Sequence, residues 1–249
     1  MSGFYPPESQ RMDLIGHLAE LRRRILVCVT CLLVVTIFLF SQGYALLALL
    51  ETPAHGSFKD FIFTAPTEAF GTYCKVVLLA AFVVCFPVVL YQIWAFLAPA
   101  LPRSAQRAVV VWLLFALVSF LAGIAFAFGV LLPYAFNFLV GFGAGIARPL
   151  ISLSEYISFA VAMILVGGLV FEIPFLIGLL TEIGILSSRV LRSGRRYAIL
   201  IIFIAAAVIT PTQDAFNMLL FAVPMVLLYE VGVLLSRIIE KRKAGSEKK

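Results

Sequence analysis

One ionisable residue stands alone in a long apolar stretch: Glu172, within Leu165-Val166-Gly167-Gly168-Leu169-Val170-Phe171-Glu172-Ile173-Pro174. If that stretch crosses a bilayer, its carboxyl costs about 2.5–3.5 kcal/mol to insert and should face a bundle interior or a wet cavity. Two readings stay open: a protonated or hydrogen-bonded structural acid, or a functional one. Pro174 frees a backbone carbonyl one turn earlier and predicts a kink at the same place. A second polar cluster lies near the N-terminus. There Asp13, His17, Glu20, Arg22, Arg23 and Arg24 alternate with Leu14, Leu18, Leu21 and Ile25 at helical spacing. Glu20 and Arg24 are an i,i+4 pair. On the residues alone, this segment is an interfacial amphipathic helix with a basic anchor. Asp214 opens the last apolar stretch, where an acid caps a helix and suits its dipole. Gln92, Trp94 and Glu230 stand near the ends of apolar runs, and a tryptophan there is ordinary membrane-interface behaviour. Glu51-Thr52-Pro53 and Ala65-Pro66-Thr67-Glu68 read as caps or turns, with Thr67-Glu68 able to start a helix.

Other chemistries find no residues. Cys28 and Cys31 form a C-x-x-C, but within a run of Leu, Val and Ile where burial disfavours the thiolate that zinc requires. With Cys74 and Cys85 they read as small apolar helix residues. There is no nucleotide-binding loop, no catalytic triad pattern and no metal cluster, so no cofactor, metal or enzymatic activity is expected. Composition points the same way. The chain is 63% hydrophobic and 13% charged, with a mean hydropathy of +1.08, against roughly 45–50% and about 25% in a soluble domain. A soluble enzyme, a disordered chain and a nucleic-acid binder are poor readings despite the net charge of +6. The lipid bilayer must be the solvent for most of the chain.

Charge-free runs set the layout that must position these residues. Ile25–Leu50 has 26 residues without a charge, Val76–Pro102 has 27 and Ala108–Ala147 has 40. Tyr156–Phe171 has 16 and resumes after Glu172 as Ile173–Thr181, while Tyr197–Gln213 has 17 and Ala215–Tyr229 has 15. A spanning helix needs about 20. The longest run exceeds one helix but falls short of two with a polar loop. Pro133, Asn137 and the Gly141–Gly145 cluster predict a break near Leu131, followed by an apolar extramembrane loop. Six helices are thus expected, at 23–46, 70–98, 107–131, 155–181, 196–210 and 214–236. Thr210-Pro211-Thr212-Gln213 makes a tight hairpin between the last two. Both of these are expected to be short, since a run of 17 residues spans about 25 Å against a core of roughly 30 Å.

Lysine and arginine orient the layout. One side collects Arg11, Arg22, Arg23 and Arg24, then Arg103 and Arg107, then Arg189, Arg192, Arg195 and Arg196, then six more from Arg237 to Lys249. The other side has Lys59 and Arg148, with Lys75 at a helix end. The positive-inside rule puts both termini in the cytoplasm. The expectation is a single membrane domain over 1–249, with a cytoplasmic segment at 1–24 and a cytoplasmic basic tail at 237–249. The first apolar run is longer than a signal-peptide core and lacks an A-x-A-like site, so it reads as a retained helix.

Four ordered motifs carry a resemblance. They are His17-Leu18-Ala19-Glu20-Leu21-Arg22-Arg23-Arg24, the stretch from Pro87 to Leu101 (PVVLYQIWAFLAPAL), Phe171-Glu172-Ile173-Pro174, and Ala222-Val223-Pro224-Met225-Val226-Leu227-Leu228-Tyr229-Glu230. With this topology the chain resembles the TatC family, the core receptor subunits of the twin-arginine protein translocase, from about His17 to Arg237. The resemblance implies an all-α integral membrane fold of six helices, both ends cytoplasmic, forming a curved, glove-like wall with a short fifth and sixth helix. It implies a protein of the bacterial cytoplasmic (inner) membrane that binds signal peptides carrying paired arginines. It further implies recruitment of single-helix partners of the TatA and TatB type and homo-oligomers within a receptor complex. Folded proteins would then be exported at the expense of the proton-motive force, without ATP hydrolysis by this subunit.

By the same resemblance, Glu20, Arg22, Arg24 and Phe96 belong to the signal-peptide surface, where a carboxylate can take a guanidinium in a bidentate pair that lysine cannot reproduce. Glu172 matches an acid facing an intramembrane groove, and Pro53 and Asp214 match sensitive extracytoplasmic positions. Two departures stand out. Ala105 occupies a position where the family usually has a Glu that accepts the arginine pair. Met218 replaces a polar Gln that docks a partner helix, a role that could pass to Asn217. Two rivals follow from these residues: a six-helix proton-coupled secondary transporter using Glu172, for which no inverted repeat is visible, and a TatC-like scaffold with altered signal recognition.

Overall fold

The computed structural model describes residues 8–54, 61–97, 109–143, 150–210 and 214–246. Helix α1 (Glu8–Leu39) passes through a 3-10 turn (Phe40–Gln42) into α2 (Gly43–Glu51) and a second such turn (Thr52–Ala54). Then come α3 (Pro66–Leu97), α4 (Val109–Phe126), a π-helical turn (Ala127–Leu131) and α5 (Leu132–Gly143). The rest is α6 (Leu153–Val170), α7 (Ile173–Ile183), α8 (Ser188–Ser193), α9 (Arg195–Ile209) and α10 (Ala215–Ser246). Among the described residues, five stretches are long and apolar enough to cross a membrane: Gly16–Ala54, Pro66–Phe96, Val111–Gly143, Leu153–Ile183 and Ala215–Lys243. Helix α9 is the sixth apolar helix. At 15 residues it reaches about 22 Å, less than a bilayer core of about 30 Å.

Several boundaries differ from expectation, each for a physical reason. The amphipathic N-terminal segment and the first span form one continuous helix, because Glu20 and Arg24 satisfy each other within it. The break expected near Leu131 is a π-turn, and the helix continues to Gly143 in place of the apolar loop. Leu132 N–H reaches back five residues to the Ala127 carbonyl. This places Pro133 in the first turn of a new helical register, where its missing N–H is tolerated. The fourth span is interrupted at Phe171-Glu172, with Pro174 in the first turn of α7. The final helix is long, not short. Its charged continuation past Tyr229 stays helical because other elements partner its charges: Arg195 pairs with Glu230, Arg242 with Glu182 at 3.4 Å, and Glu240 accepts from the Ser188 N–H at 2.8 Å. The hairpin residues around Pro211 lie outside the described residues.

Small residues let the helices approach closely. A Cβ on Gly123 would sit 2.6 Å from the Gly167 carbonyl oxygen, so α4 and α6 meet backbone to backbone. Gly178 makes room for the Trp112 ring in the same way. Without a hydrophobic driving force in lipid, such packing contacts supply helix association. Trp94 lies in this packing, 6% exposed beside Phe86, Ala116 and Phe120, and so is a core residue instead of the interface anchor expected.

Opposite the arginine-rich end, a single carboxylate joins two helix starts. Glu68 Oε2 accepts from Thr64 N at 2.7 Å, Thr64 Oγ1 at 2.7 Å and Ala65 N at 3.2 Å, just before and at the start of α3. Its Oε1 accepts from the Ser152 hydroxyl and from Ser154 N at 3.1 Å, at the start of α6. Helix starts carry unpaired N–H groups and a positive dipole end, so one anion neutralises two of them. The isolated pairing of Ile62 with Ser152 holds the same junction. Leucine in place of Gly123 should separate α4 from α6 and lower stability by about 1–3 kcal/mol. Gly129, with open space around its Cβ position, should accept alanine unchanged. Thermal unfolding of the two detergent-purified variants checks this contrast.

Candidate functional site

The polar residues singled out in the sequence occupy three places along the bundle. At the arginine-rich end, antiparallel α1 and α3 bring Arg24 against the last turn of α3. Arg24 Nε donates to Glu20 Oε1 at 3.0 Å, Nη1 to Gln92 Oε1 at 3.1 Å and Nη2 to the Ala95 carbonyl at 3.1 Å, while Nη2 also bonds Glu20. Ala95 lies within the last four residues of α3, whose carbonyls have no helical partner, so a cation is doubly suited there. The His17 ring stacks on Phe96 at 4.3 Å between centroids. Below this layer an apolar cleft of about 360 Å³ opens between Leu21, Ile25, Val29, Val89 and Ile93, with Arg24 and Phe96 at its rim.

This arrangement has a definite chemistry. Glu20 is about one-third exposed, and among the described residues its Oε2 accepts no hydrogen bond. A guanidinium can therefore still reach the carboxylate, and an apolar segment attached to it can enter the cleft. Arg22 is exposed on the same helix. Ala105, the expected departure, lies outside the described residues. Gln92, which the sequence marked only as polar, is a working member of the cluster. The Ala95 carbonyl had no signal, since any residue type supplies one.

Glu172 sits at the break between α6 and α7, 7% exposed. Its N–H bonds the Leu169 carbonyl at 3.1 Å and its carbonyl accepts from Leu176 N at 2.9 Å. Neither carboxyl oxygen has a partner among the described residues. The neighbouring side chains are apolar: Phe171 packs on Phe126, and Val170 belongs to a core with Met163 and Ile177. A buried carboxyl without a hydrogen bond costs free energy unless something brings it one.

The other residues are structural at first order. Pro53 lies in the turn Thr52–Ala54, where Ala54 is fully buried and the Tyr156 hydroxyl donates to the Leu50 carbonyl at 2.7 Å. Asp214 caps α10 by accepting from Asn217 N at 2.7 Å, as the sequence suggested, and Asn217 Nδ2 donates to Asp214 Oδ2 at 2.8 Å. Asn217 is fully buried, whereas Met218 is half-buried against the main core. Among the described residues no group of His, Cys, Asp and Glu could hold a metal.

Taken together, the fold and these sites define a polytopic, all-α integral membrane protein with a polar Glu20–Arg24–Gln92 cluster at one end and a buried acid that has no partner among the described residues. A family model described as Sec-independent protein translocase protein (TatC) matches residues 16–224. A TatC protein of Carboxydothermus hydrogenoformans is 34% identical over 242 residues, covering 97% of this chain and all of the relative. A second, from Deinococcus radiodurans, is 37% identical, covering 94% of this chain and 88% of the relative. A solved structure titled as the twin arginine translocase receptor TatC superposes with a TM-score of 0.80 at 33% identity, covering 90% of this chain and 99% of that one. The chain belongs to the TatC family and has its six-helix fold. Replacing Glu172 by leucine removes the unpaired carboxyl and should stabilise the isolated protein by about 1–3 kcal/mol. A rise in thermal midpoint in detergent is the expected readout.

Proposed function

We propose that this chain is the signal-receiving subunit of a twin-arginine translocase. It binds arginine-pair signal peptides where α1 meets α3, and with TatA- and TatB-type single-helix partners it exports folded proteins by the proton-motive force. The observation that carries this reading is the Glu20 carboxylate, held by Arg24 with one oxygen open, beside the stacked His17 and Phe96 and above an apolar cleft. A signal's guanidinium meets the carboxylate and its apolar segment follows the cleft. Arg24 holds Glu20 in position through Gln92 and the Ala95 carbonyl, and Arg22 lines the approach.

Glu172 supplies the second contact. Its unpartnered oxygens await a polar group on a partner helix or on the signal. Met218 offers the docking face on α10, because Asn217 is engaged with Asp214. Pro53 and Asp214 hold the extracytoplasmic turns. The distribution of Lys and Arg supports both termini in the cytoplasm of a bacterial inner membrane. With Ala105 in place of a second acid, Glu20 is the main acceptor. The receptor complex contains several copies of the chain.

Peptide binding to the purified protein tests this reading. A fluorescent Arg-Arg signal peptide should bind more tightly than its Lys-Lys counterpart. Glu20→Gln should weaken Arg-Arg binding about tenfold or more, since a hydrogen bond to a charged group contributes about 1.5–3 kcal/mol. Ala105→Glu should strengthen it. Equal affinity for the two peptides, or no effect of Glu20→Gln, overturns the assignment. For Glu172, export assays of Glu172→Leu should show lost transport despite the more stable fold.

A further inference from the structure

Helix α1 is attached to the rest of the molecule along one seam. None of the residues in its most apolar 18-residue window is buried, and α3 is the described helix that packs along it. The seam has a regular antiparallel register. Arg24 meets Gln92; seven residues on from Arg24 and seven back from Gln92, Cys31 meets Cys85 with the sulfurs 3.4 Å apart. Twelve residues beyond that pair in each direction, Gly43 leaves room for the Tyr73 ring. The thiol pair is therefore the central contact of the three, two helical turns (about 10 Å) inward from the Arg24–Gln92 bond.

The sulfurs are already in van der Waals contact at 3.4 Å, against the roughly 2.05 Å of a covalent S–S bond. Cys85 is 2% exposed and Cys31 half-buried. One turn nearer the helix start, Cys28 lines the cleft beneath Arg24. We infer that Cys31 and Cys85 form a redox-convertible thiol pair whose oxidation locks α1 onto α3. Two S–H bonds break and one S–S bond forms. The two protons and two electrons pass to a lipid-soluble quinone, which leaves as the quinol. The oxidant is of this class because the pair lies within the apolar helices, where water-soluble disulfides do not reach. This inference stands on the seam alone and is independent of signal binding.

The test uses the full chain in lipid nanodiscs. Reduced protein is treated with a short-chain quinone or, separately, with copper phenanthroline, then denatured and its free thiols counted with a maleimide by mass. The count should fall from the four cysteines present to two, with Cys31 and Cys85 linked in the peptide map. Cys28→Ser should lose two thiols as the parent does, whereas Cys31→Ser and Cys85→Ser should lose none. Amide exchange across 16–39 should slow on oxidation in the parent and not in Cys85→Ser. Four thiols remaining after copper phenanthroline, or a link that joins Cys28, overturns the site. Linkage by copper phenanthroline but not by the quinone overturns the oxidant, and unchanged exchange in the linked protein overturns the lock.

Discussion

The bilayer offers no hydrogen bonds, so every polar group within it must be satisfied by the protein. The architecture follows from that constraint. The acids with partners among the described residues sit mostly where a helix exposes its own unpaired groups. Glu68 neutralises the starts of α3 and α6. Glu240 accepts from the start of α8, and Asp214 caps α10. Arg24 does the converse, donating to a carbonyl in the last turn of α3. Each charge thus closes a helix end, and Glu68, Glu240 and Arg24 also join it to a second element. Charged residues that would otherwise be liabilities in an apolar chain become the connectors of the bundle.

Against that pattern, Glu172 is the exception. It lies at a helix break, buried, with two oxygens that nothing among the described residues satisfies. The break itself is economical, since Pro174 falls in the first turn of α7 where its missing N–H has no cost. The carboxyl has no such excuse. Glu68, Glu240 and Asp214 are satisfied at helix ends, whereas Glu172, without a partner among the described residues, keeps a local instability that a further polar group would relieve. The cluster at the other site differs in kind. Glu20 is partly satisfied and partly open, so the site is preorganised by Arg24 without being closed.

Much of this was legible in the residues. The charge-free runs located the spans, and the fold class follows from their number and the charge alternation. The Glu20–Arg24 pair, the Asp214 cap and the interruption near Pro174 depend on neighbours within one or two helical turns, and all three appear as expected. What differs depended on a local turn that composition does not mark and on distant partners. Pro133 looked like a helix end because a π-turn, which absorbs it, leaves no mark in composition. Trp94 looked like an interface anchor because nothing local shows that Phe86 and Phe120 surround it. The last helix looked short because its charges find their partners on α7, α8 and α9.

The sequence by itself determined the solvent, the number of apolar helices and the local chemistry of each helix end, because hydropathy and i,i+4 spacing act along the chain. Only the tertiary structure decided which end groups are shared. That Glu68 serves two helices, that Gln92 and the Ala95 carbonyl complete the Arg24 fan and that Cys31 faces Cys85 are all relations between segments far apart in the chain. Their physical basis is the close approach allowed by Gly123 and Gly43. That approach fixes the helix registers, and register is a property of pairs of helices that no single helix contains.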